Sequence, residues 1–87
     1  MTAAEEAERQ RREQGMREVC RRLGTTRACV CDPLLTLGLG MPSIDPILLE
    51  KWLVMHGKYG VREDESIREA LERNYGRDFA ALVGSLI

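Results

Sequence analysis

The chain has 87 residues, 44% of them hydrophobic and 31% charged, and a formal net charge of −1. That length holds one domain with one modest core. The near-zero charge leaves no whole-molecule field to draw it to nucleic acid or a membrane surface. Only four residues are aromatic (Trp52, Tyr59, Tyr75 and Phe79), so the core must lean on Leu, Ile, Val, Met and Ala, a mixture that favours helices over strands.

The charge is uneven along the chain. Residues 1–31 hold seven Arg against five Glu, and residues 32–87 hold six basic against nine acidic residues. Eleven of the thirteen basic residues are Arg, the better fork for carboxylate and phosphate. The N-terminus is polar where a secretory signal needs an apolar stretch. The longest oily run, residues 33–44, is too short and too interrupted to span a bilayer. An odd count of three cysteines then reads as cytosolic thiols, and a cytoplasmic location with no membrane contact is expected.

Residues 2–23 read as one long polar helix. Thr2 with Glu5 fits a capping box, and Glu5–Arg9, Glu8–Arg12, Glu13–Arg17 and Glu18–Arg22 are (i, i+4) pairs with the acid first. Gly24 is its stop, and Gly15 is a soft spot costing about 1 kcal/mol. Apolar residues gather late, at Met16, Val19, Cys20 and Leu23, spaced i, i+3, i+4, i+7. This helix should therefore dock by its C-terminal half and project its first half into solvent.

Ala28-Cys29-Val30-Cys31 reads as a short extended piece. Asp32-Pro33 and Asp45-Pro46 are two copies of one start signal, an N-cap followed by proline at the first helical position. The first opens a short helix stopped by Gly38 and Gly40, and the second opens a helix over 46–56 ended by Gly57. Asp64 starts a helix over 65–75 ended by Gly76, and Asp78 one over 79–87. Leu48, Leu49, Trp52, Leu53 and Met55 line the first of these helices. Ile67, Ala70, Leu71, Asn74 and Tyr75 line the second, and Phe79, Leu82, Val83 and Leu86 the third, with Ile87 packed at its end. The fold class that follows is all-α: a compact single-domain bundle of about five helices, with a helical core over 32–87.

Cys20, Cys29, Cys31 and His56 form the one Cys3His set that could bind zinc. Cys-x-Cys is tighter than the usual ligand spacing, and Cys20 already belongs to an apolar stripe. Buried thiols are the default, with no metal and no cofactor expected. Catalysis is not expected either, since one His without a marked nucleophile makes no recognisable active site. "GLGMPS" at 38–43 lacks the third glycine and the Lys-Ser/Thr of a phosphate loop. A helix-turn-helix over 46–75 would need a shorter turn, and its second helix is acidic.

Binding to another protein, or self-association, is the leading expectation. The contacts would come from Arg9, Arg12, Arg21, Arg22 and Arg27 and from Leu37, Leu39 and Met41, because Leu34–Ile44 is oilier than a turn requires. The expected role is a small non-enzymatic accessory, regulatory or inhibitory factor of a bacterium or phage, a source suggested by small size and the Arg excess. Two alternatives stay open: a nucleic-acid-binding regulator using Arg21, Arg22 and Arg27, and a small zinc-stapled domain.

Overall fold

The computed structural model describes residues 2–87, and every regular element among them is helical. There are six helices: α1 (Ala3–Leu23), α2 (Arg27–Val30), α3 (Pro33–Leu39), α4 (Pro46–His56), α5 (Ile67–Tyr75) and α6 (Arg77–Leu86). The sixth is α2. The stretch expected to be extended is instead a single helical turn, which swings Val30 and Cys31 into the core.

Local capping chemistry explains most boundaries. Thr2 accepts from the Glu5 amide at 3.2 Å, and Gly24 closes α1 in the left-handed region. Asp32 and Asp45 each accept from the amide two residues on, at 2.9 Å, ahead of a proline. Gly38 lies inside α3, and only Gly40 ends it. α5 starts two residues later than expected, because Ser66 rather than Asp64 is the N-cap and its hydroxyl accepts from the Glu69 amide. α6 starts at Arg77, with Asp78 in its first turn rather than at its cap. Gly76 is shared: it ends α5 and begins α6 at φ 98°, ψ 164°, a conformation closed to other residues, so the two helices join without a loop.

The core forms where α6 packs between α1 and α5 and where α2 packs on α4. α1 contributes Met16, Val19, Cys20 and Leu23; α6 contributes Phe79, Ala80, Val83 and Leu86; Leu71, Leu49, Leu53, Val30 and Ile44 complete it. Each large side chain buried in this way is worth about 1.5–3 kcal/mol. A Cβ at Gly15 would meet the Leu82 and Leu86 methyls at 3.4 Å, an ordinary contact, so the approach of α6 does not depend on a glycine there. Two expected core positions and one segment lie outside: Met55 is 76% exposed, Ile87 is 51% exposed, and the 33–39 part of the expected 32–87 core buries nothing.

The segment after α3 is pinned from three sides. The Ile44 amide donates to the Leu86 carbonyl at 2.8 Å, and the Asp45 amide to the Val30 carbonyl at 3.0 Å. Arg12 reaches across from α1 and donates to the carbonyls of Pro42 (2.9 Å), Ser85 (2.6 Å) and Leu86 (3.1 Å). Residues 2–7 of α1 are exposed, and the first fully buried side chain of that helix is Met16.

Candidate functional site: an apolar groove beside a bare helix

α3 is the anomaly of the fold. It reads PLLTLGL, and none of its seven residues is buried. Leu34 and Leu37 are both 78% exposed and Leu39 is 60% exposed. A solvent-facing helix normally carries polar residues on its outer side. Here Asp32 and Pro33 start a helix, while the sequence that follows spreads four leucines over about 200° of its surface.

Beside α3 lies a groove of about 430 Å³. Met16 of α1, Ala28 of α2 and Cys31 form its inner side, Pro33 and Leu37 of α3 one wall, and Pro42 its end. It is overwhelmingly apolar, with Thr36 and Arg27 as the polar groups on its lining. A second, smaller hollow continues past Leu37 to Gly40 and Met41, bordered on the α1 side by Arg9 and Glu13. An open apolar groove of this kind, next to exposed leucines, is the surface type that proteins use for partners.

The sequence-derived contact residues fall into three groups. Leu37 and half-buried Met41 lie at this surface, whereas Leu39, though 60% exposed, lines neither hollow. Arg9 stands at its edge with no ion pair among the described residues. The other four arginines have partners within the chain. Arg12 is consumed by the three carbonyls. Arg21 pairs with Glu18 at 2.6 Å, Arg22 lies over the Phe79 ring at 4.6 Å, and Arg27, on the groove lining, pairs with Glu13 of α1. None of the four expected (i, i+4) pairs of α1 forms. Two are replaced by (i, i+3) pairs, Glu8–Arg11 and Glu18–Arg21, and Glu13 turns to Arg27 instead. The arginine neighbours hold the carboxyls of Glu8, Glu13 and Glu18 below the usual range.

The zinc set is not assembled. Among the described residues no three His, Cys, Asp or Glu side chains cluster as a metal site. His56 stacks against Trp52, with ring centroids 5.5 Å apart. Cys31 is buried with its thiol 3.4 Å from the Met16 sulfur, and burial pushes its pKa up to about 11. Burial also raises Cys20. Cys29 is exposed, and hydrogen bonds from the Thr25 and Thr26 hydroxyls hold its thiol below the ordinary value.

What sequence reasoning missed is the groove itself. Pro33, Pro42 and Ala28 gave no signal, because each becomes a wall only when α1, α2 and α3 meet. Among the described residues no helix is long and apolar enough to cross a membrane. Comparison with protein-family models, curated proteins and solved structures finds no match.

Proposed function

We propose that this chain is a small non-enzymatic interaction protein, an accessory, regulatory or inhibitory factor that acts by binding another protein chain through α3 and the adjoining groove. The observation that carries the reading is α3: a helix of seven residues, three of whose four leucines are 60–78% exposed, next to an apolar groove. Leaving that much apolar surface bare is unfavourable for an isolated monomer, and covering it returns about 25 cal/mol for each Å². The nucleic-acid alternative has less support, since Arg21, Arg22 and Arg27 each engage a partner in the same chain.

Affinity capture with the full chain tests the reading, comparing wild type with the double variant Leu34→Asp, Leu37→Asp. Both positions are exposed, so the variant should fold normally by circular dichroism. At least a tenfold loss of captured protein is expected. Undiminished capture by the variant would overturn the assignment of this surface.

A further inference from the structure

α4 carries a second apolar strip that its own fold leaves bare. Leu49 and Leu53 turn into the core, whereas Ile47, Val54 and Met55 are 63%, 61% and 76% exposed. They stand at i, i+7 and i+8, on one side of the helix, with Glu50 and Lys51 between them at i+3 and i+4. The strip is thus an apolar ridge marked by one acid and one base. The groove offers the counterpart: an apolar trough with Arg27 on its lining, continuing into a hollow bordered by Arg9 and Glu13, one turn apart on α1.

We propose that the groove receives the α4 ridge of a second copy of this chain, with Val54 and Met55 entering beside Leu37 and Glu50 meeting Arg9. The proposal rests on the protein-binding reading of the groove and names its partner. Charge complementarity selects this occupant. Neither Arg9 nor Glu50 makes an ion pair among the described residues, and Glu13, the acid one turn from Arg9, is held by Arg27, so the contact gives Arg9 and Glu50 each a direct partner.

Area points the same way. α3 is only about 10 Å long, too short by itself to supply the roughly 800 Å² a side of a stable complex. A reciprocal contact uses groove and ridge on both copies at once and closes as a two-fold dimer. The two surfaces lie on neighbouring elements, since α2 packs on α4 and α3 follows α2 after two residues.

Sedimentation equilibrium of the full chain, from micromolar to hundreds of micromolar, tests the proposal. A dimer is expected, weakened at least tenfold by Leu37→Asp and equally by Val54→Asp. Arg9→Glu and Glu50→Arg should each weaken it several-fold, and the double variant R9E/E50R should restore it. A wild-type chain that stays monomeric throughout, or a dimer indifferent to Val54→Asp, overturns the proposal. The capture experiment distinguishes this failure from failure of the broader reading: a monomeric chain whose capture of a foreign protein still depends on Leu34 and Leu37 loses only the second copy as partner.

Discussion

α3 and α6 are both oily helices, yet one is the bare surface of the molecule and the other its core. In α6, Phe79, Ala80, Val83 and Leu86 fall at i, i+1, i+4 and i+7, one stripe, and all are buried between α1 and α5. In α3, Leu34, Leu35, Leu37 and Leu39 spread over about 200° of barely two turns, a wider fan than the stripe of α6. Leu35 is the least exposed of the four, and Leu34, Leu37 and Leu39 stay mostly in water. Apolar content therefore does not decide burial; its angular arrangement and the neighbours available do.

The sharpest way to break this contrast is to truncate one large side chain in each helix. Phe79→Ala should cost about 3–5 kcal/mol, from the cavity it leaves. It also removes the ring that Arg22 covers and that Tyr75 meets at 4.9 Å between centroids. Leu37→Ala should stay within about 0.5 kcal/mol, as exposed positions do. Urea denaturation of both variants at low concentration reads the difference, and similar costs would mean that α3 is packed after all.

Arg12 is the next target, because it ties the end of α6 to the segment that leaves α3. Arg12→Ala should destabilise by about 2–3 kcal/mol, since charged hydrogen bonds to half-buried carbonyls are lost. Arg12→Lys should recover little of this, because an ammonium does not match a three-carbonyl fork. A loss confined to a few tenths in the same denaturation assay would show that the tie is slack.

Ser43 sharpens the comparison from the opposite sign. It is 1% exposed, and its hydroxyl has no hydrogen-bond partner among the described residues. Ser43→Ala should stabilise the chain by about 1 kcal/mol, the cost of an unmade buried hydrogen bond. A thermal melt that falls instead would place a partner on that hydroxyl.

The smallest effect expected concerns acid stability on the α5–α6 side. Arg73 donates to both Glu65 oxygens, at 2.7 and 2.8 Å, and to the Gly60 carbonyl. This holds the Glu65 carboxyl down to about 2, chiefly through the Arg73 hydrogen bond. A depressed carboxyl stabilises the fold fully above its unfolded value near 4.5, and the contribution fades as pH falls from there through 2. Glu65→Gln should therefore flatten the melting temperature against pH across that window and leave α3 unaffected. An unchanged slope would remove Glu65 from the acid transition.

Much of this was legible in the sequence, and the legible parts share a cause. Thr2, Asp32, Asp45, Gly24 and Gly57 mark helix ends through hydrogen bonds reaching no more than four residues, so the chain itself carries the signal. Even the missed start of α5 was written there, since Ser66 and Glu69 keep the capping-box spacing that Asp64 obscured. The stripes of α1 and α6 were equally plain, because helical period is local. Arg12 was misread for the opposite reason. Its nearest acid along the helix was Glu8, but three carbonyls some 30 and 70 residues away outbid it.

Local spacing by itself determined an all-α chain, most of its helix boundaries and the buried stripes of α1, α5 and α6. Only the tertiary structure decided which oily segments stay in water, which arginines remain free for a partner, and that Met16, Ala28, Cys31, Leu37 and Pro42 enclose one groove. Capping and periodicity act within one or two turns. Exposure depends on what the rest of the chain places opposite, and the rest of this chain leaves Leu34, Leu37 and Leu39 of α3 uncovered.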